Sequence, residues 1–131
     1  MTGLLIGGFL VAHGLIHASY LAPAPPATGG PAWPFAMADS WLINRVGMDA
    51  GLVRVVGTVL VAEAVLGFAI AGLAVLGVLP VSLFTPAAIG AAIGSAVVLV
   101  MFFHRWIVVG FVIDAVVLWA VFAQRWTPAV A

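Results

Sequence analysis

Four side chains that could do chemistry stand inside otherwise apolar runs: His13, Glu63, Ser95 and Asp114. A fifth, His17, follows in His13-Gly-Leu-Ile-His17. That spacing puts both imidazoles on one helical face, one turn apart. Imidazoles so placed can ligate a metal, bind a substrate or pass protons. The plainer reading is that each hydrogen-bonds to a neighbouring helix. Two histidines and two carboxylates also match the donors that Zn, Fe and Mn accept. Two expectations therefore stand side by side. One is a ligand-binding or proton-relay site built from His13, His17, Glu63 and Asp114. The other is a divalent metal or a haem held by His13 and His17.

The partners of the two acids can be narrowed by helical arithmetic. Arg54 precedes Glu63 by nine residues. On one helix that is half a turn round and ~13 Å along, too far for a pair. Arg105 stands in the same relation to Asp114 and is excluded in the same way. Each acid needs a partner from another helix, and His13 or His17 is the first candidate for Glu63. For Asp114 the alternative to a functional role is a purely structural network of His, Glu and Asp. Ser95 is the weakest member of the set, because it also belongs to a stripe of small residues with Ala87 and Ala91.

The elements that must carry these residues are long and greasy. Hydrophobic residues make up 66% of the 131 and charged residues 6%. Soluble domains sit near roughly 45–50% apolar and about 25% charged, so this composition points to an integral membrane protein. Apolar runs cover about 3–22, 51–79, 86–104 and 106–125. About 20 helical residues cross the hydrocarbon layer, so each run is long enough. None shows the period-two alternation of a membrane β-barrel. The expected fold is all-α: a four-helix transmembrane bundle forming one domain over 1–131. A mid-bilayer charge costs about 2.5–3.5 kcal/mol on insertion scales, so Glu63 and Asp114 should face the bundle interior.

Residues 1–12 carry no Lys or Arg. A signal peptide needs a positive leading segment, so the first run reads as a retained helix. The stretch 23–50 is the one long connection. Its Pro23–Pro31 part is too rich in proline to be helical. The aromatic part from Trp33 to Arg45 should either lie at the lipid–water interface or fold back over the bundle as a lid. Thr85 before Pro86 reads as a helix cap. Gly90 and Gly94 form a close-packing pattern, serving the bundle itself or a homodimer. His104 reads as a wet residue at a helix junction. The tryptophans read mainly as an interfacial belt. Arg45, Arg54 and Arg105 against Arg125 weakly favour the long loop inside.

Net charge is zero and no Lys is present, which excludes a nucleic-acid-binding face. There is no Cys, which excludes disulfides, thiolate metal sites and cysteine nucleophiles.

Two stretches resemble a known family. Gly8-Phe-Leu-Val-Ala-His-Gly-Leu is similar to the histidine–glycine element in the first helix of DoxX-like membrane proteins. Val56-Gly-Thr-Val-Leu-Val-Ala-Glu-Ala-Val-Leu-Gly, running on to Gly72, resembles that family's second helix. The likeness spans about 40 of 131 residues and carries over only His13 and Glu63. The Pro-rich loop, the last two runs and Asp114 have no counterpart in it. It implies a four-helix bundle in a cell membrane, of the bacterial inner-membrane kind, some of whose members associate with membrane oxidoreductases. The favoured reading is a ligand-binding or accessory subunit of a membrane redox system, without independent catalysis. The rivals are a metal or haem protein and a small proton-coupled transporter or channel. The expected partners are the lipid bilayer, a second copy of the chain and a membrane oxidoreductase.

Overall fold

A computed structural model describes residues 1–25 and 33–128 of the chain. Every element among the described residues is helical. The α-helices are α1 (Thr2–His17), α2 (Trp41–Asn44), α3 (Ala50–Val75), α4 (Phe84–Met101) and α5 (Val108–Phe122). Single 3₁₀ turns extend α1 to Leu21 and lead into α4 and α5. With those turns, four segments are long and apolar enough to cross a membrane: Thr2–Leu21, Ala50–Val75, Val81–Met101 and Arg105–Phe122.

Local chemistry sets the ends. Asp49 caps α3, its Oδ1 accepting from Leu52 N at 2.7 Å. This satisfies one of the donors that a helix start leaves over. The other end of α3 comes at Val75, short of the Leu79 expected from hydropathy. The reason is Gly77, whose φ of +73° takes the chain out of the helix. Val78 N then bonds Leu73 O at 2.9 Å and Gly77 N bonds Ala74 O at 3.2 Å, the paired pattern of a glycine stop. Thr85 is not the cap of α4. That helix begins one residue earlier, out of the turn Val81–Leu83, and makes no side-chain cap bond. Pro86 still falls in the first turn, where its missing N–H leaves no gap in the ladder. The fourth run is regular helix only from Val108, because Arg105–Ile107 form a turn on the His104 cap.

Packing runs in a row from α1 to α3, α3 to α4 and α4 to α5. Glycines let the backbones approach. A Cβ at Gly72 would stand 2.6 Å from Gly7 O, so these two residues mark the α1–α3 crossing. A Cβ at Gly67 would stand 2.8 Å from that of Ala91, which marks the α3–α4 crossing. α1 and α5 face each other across two cavities.

The interior is layered. One apolar cluster includes Leu10, Phe68, Phe84, Ala88 and Val121. The other includes Tyr20, Val53, Val61, Val98 and Phe102. His13 and His17 on α1 and Ser95 on α4 are buried between them in chain position, and the buried Asp114 of α5 meets them in that layer. The segment after Trp33 folds back over the end of the second cluster, with Phe35, Met37, Leu42 and Ile43 packed on it. Ser40 Oγ donates to Met101 O at 2.6 Å and Trp41 Nε1 to Val100 O at 2.7 Å. These bonds satisfy carbonyls that the end of α4 leaves without helical partners. The segment thus packs back onto the end of the bundle, and Trp41 latches it.

Candidate functional site

The site is built from one turn of α1, one position of α4 and one of α5. His13 and His17 lie on the same face of α1, their rings 5.1 Å apart and edge to face. His13 is further held by the Phe68 ring at 4.7 Å. Its Nε2 donates to Asp114 Oδ1 at 3.2 Å. Ser95 Oγ donates to the other oxygen, Asp114 Oδ2, at 2.6 Å. His17 Nε2 lies 2.7 Å from the same Ser95 Oγ. His17 Nδ1 donates to the backbone carbonyl of His13 at 3.1 Å, within the last turn of α1. All four side chains are at most 4% exposed. Buried polar groups of this kind are normally paired, and here each pairs with another member of the set.

The structure brings together His13, His17 and Asp114, and adds Ser95. It does not bring Glu63 to them. The fully buried face of α3 is Val61, Ala64 and Phe68. Glu63 is turned from it by about 100° relative to Ala64, onto the stripe it shares with Gly67. There its carboxyl lies against α4, where a Cβ on Gly94 would overlap it and one on Gly90 would stand 3.0 Å from Oε1. Glu63 Oε2 is buried without a hydrogen-bond partner among the described residues. The pairing of Glu63 with a histidine is therefore corrected: the histidines are taken by Asp114 and Ser95. Gly90 and Gly94 serve contacts inside this chain.

The metal expectation does not fit the donor set. Among the described residues no three His, Cys, Asp or Glu side chains come together to hold a metal ion. His13 Nε2 is engaged by Asp114, and both His17 nitrogens are engaged within the chain. Nor is the set a nucleophilic triad. Ser95 sits between His17 and Asp114, whereas a triad needs the imidazole between hydroxyl and carboxylate.

Tyr20, which the sequence reading does not assign to the site, belongs with it. It lies one turn beyond His17, at the loop end of α1, and its ring packs on Phe35 and Phe102. Its hydroxyl is buried with no hydrogen-bond partner among the described residues. A cavity of about 190 Å³ between α1 and α5 is lined by His13, His17, Tyr20, Phe35, Trp106 and Ile113, among others. On the far side of Ile113 a larger cleft of about 720 Å³ runs toward the termini, walled by apolar residues such as Phe9, Phe84, Val117 and Trp126. The signal in sequence was the spacing: Tyr20 continues the face of His13 and His17 by three residues.

His104 caps the turn before α5, its Nδ1 accepting from Trp106 N at 3.3 Å, and takes no part in the site. No family model, no curated protein and no solved structure matches the chain. The likeness to DoxX-like proteins rests on the two quoted stretches alone.

Proposed function

We propose that the chain is a multi-pass protein of a cell membrane, crossing it as a four-helix bundle, and that it binds a small amphiphilic molecule between α1 and α5. The polar end of the ligand lies against His13, His17 and the Tyr20 hydroxyl. Its apolar remainder lies along the cleft walled by Phe9 and Val117. One observation carries this reading: a cavity of about 190 Å³ lined by two buried imidazoles and by Tyr20, whose buried hydroxyl has no hydrogen-bond partner among the described residues. A mostly apolar concavity with a few convergent polar groups is the usual form of a small-molecule site. An unsatisfied buried hydroxyl costs about 1–3 kcal/mol, which a ligand oxygen would recover. A bacterial inner membrane, and service to a membrane redox complex, are the setting in which we place it. A hydrophobic carrier with an oxygen-bearing head meets the chemistry of the pocket.

The transport reading needs Glu63 and Asp114 on one path. Their carboxyls meet successive residues of α4, Gly94 and Ser95, which point about 100° apart. No specific observation favours it.

The test is native mass spectrometry of the protein in lipid nanodiscs after expression in a membrane-rich host. A co-purifying amphiphile that is retained by the wild type and lost from Tyr20→Phe and His17→Ala supports the reading. An empty wild-type protein, or equal retention by all three, sinks it.

A further inference from the structure

The hydrogen-bond geometry fixes more than contacts; it counts protons. His17 Nδ1 faces the His13 carbonyl at 3.1 Å, and a carbonyl only accepts, so Nδ1 carries a hydrogen. Ser95 has one hydroxyl hydrogen and two close neighbours, Asp114 Oδ2 at 2.6 Å and His17 Nε2 at 2.7 Å. It can donate to only one of them. His13 Nε2 donates to Asp114 Oδ1 wherever that oxygen carries no hydrogen, as in both arrangements below.

Two arrangements satisfy all these bonds. In the first, Ser95 donates to an ionised Asp114, and His17 Nε2 donates to Ser95 Oγ. His17 is then an imidazolium. In the second, Asp114 Oδ2 carries a proton and donates to Ser95 Oγ, while Ser95 donates to a neutral His17. Passing between them breaks the O–H bond on Asp114 and forms one on Ser95. The original Ser95 O–H bond breaks and an N–H bond forms on His17 Nε2. One proton is displaced from α5 to α1, and the total charge is unchanged.

Other occupancies fail. A neutral His17 with an ionised Asp114 always leaves one contact with no hydrogen in it: a short one when Nδ1 carries the hydrogen, the 3.1 Å contact with the His13 carbonyl when Nε2 does. Protonating both leaves a net charge in a buried site, which is costly. Among the described residues no Arg side chain bonds to the network, and the chain has no Lys. The other titratable neighbours are His13 on α1 and Tyr20, which lines the same cavity as His17; from α3, Glu63 lies on the Gly94 side of α4 instead.

We propose that Asp114, Ser95 and His17 hold one shared, transferable proton and act as a short proton relay across the bundle, ending at the wall of the cavity that His17 lines. Ser95 is the bridge, the role for which a hydroxyl is needed, because it donates and accepts at once.

The experiment uses the full chain in lipid nanodiscs, with ¹⁵N-histidine solid-state NMR for His17 and infrared spectroscopy of ¹³C-labelled aspartate carboxyls for Asp114. His17→Gln and Asp114→Asn assign the signals. In the wild type, the imidazolium fraction of His17 should match the carboxylate fraction of Asp114 as temperature is varied. In Ser95→Ala this match should be lost, and Ser95→Thr, which keeps a hydroxyl, should restore it. In Asp114→Asn, His17 should be neutral with its hydrogen on Nδ1. A wild-type protein with neutral His17 and ionised Asp114 overturns the relay, as does a match that survives in Ser95→Ala. The wild-type measurement decides even where a variant fails to fold. No ligand is involved, so the outcome is separate from whether the cavity binds one.

Discussion

Ser95 Oγ and Asp114 Oδ2 stand 2.6 Å apart, and this bond joins α4 to α5 in the layer where His13 joins α5 to α1. The carboxylate is thus the knot of three helices. Replacing Asp114 by Ala strands the His13 Nε2 donor, while Ser95 can still donate to His17. At about 1–3 kcal/mol for a buried group left unsatisfied, the loss should be about 1–3 kcal/mol. Asp114→Asn keeps an acceptor and the shape, and should lose less than half as much. Thermal unfolding in detergent measures both. Equal melting of Asp114→Ala and wild type would remove Asp114 from this role.

Tyr20→Phe should behave unlike most buried substitutions. The hydroxyl has no partner among the described residues, so removing it spares a desolvated group. The ligand-free protein should be as stable as wild type or more so, while ligand retention falls. A drop in melting temperature of the ligand-free protein would mean that Oη has a partner after all.

Glu63 and Gly94 should be coupled. A Cβ at position 94 meets the Glu63 carboxyl, so Gly94→Ala forces the acid out of its seat. Overpacking of this kind costs about 1–3 kcal/mol. Glu63→Ala empties the space, so the double variant Glu63→Ala, Gly94→Ala should recover most of that cost. A double-mutant cycle on unfolding free energies reads the coupling. Additive effects would contradict the packing described.

The loop latch can be opened separately from the core. Ser40→Ala together with Trp41→Phe removes the donors to Met101 O and Val100 O. The expected result is faster proteolysis between residues 33 and 47 and a global loss of only about 1–2 kcal/mol, one modest hydrogen bond each. Unchanged cleavage would show that the apolar contacts of Phe35 and Leu42 hold the segment alone.

Much of the scaffold was legible in the sequence, since hydropathy over about 20 residues reports a spanning helix directly. Ends were harder. Gly77 could have been read as the stop of α3, but in an apolar run containing Gly67 and Gly72 it does not stand out. For the site, the His13–His17 face and the need for partners across the bundle were readable from helical spacing. Which acid meets which histidine was not. That depends on the azimuth of α3, fixed by Gly67 packing on Ala91, and this turns Glu63 away. Ser95 was masked by its small neighbours, because a serine in such a stripe serves packing as readily as bonding.

The polar layer between two apolar clusters also bears on how the chain finds its fold. Leu, Val, Ala and Phe side chains can interdigitate at many offsets, so a greasy bundle has many nearly equal packings. Only one offset sets Asp114 against both His13 and Ser95. A shift of α5 by a single residue would present Ile113 or Ala115 instead and break the bonds that α5 makes to His13 and Ser95. Assembly of the four helices is thereby given one answer among many, and mis-docked intermediates carry a penalty that the apolar contacts alone would not impose.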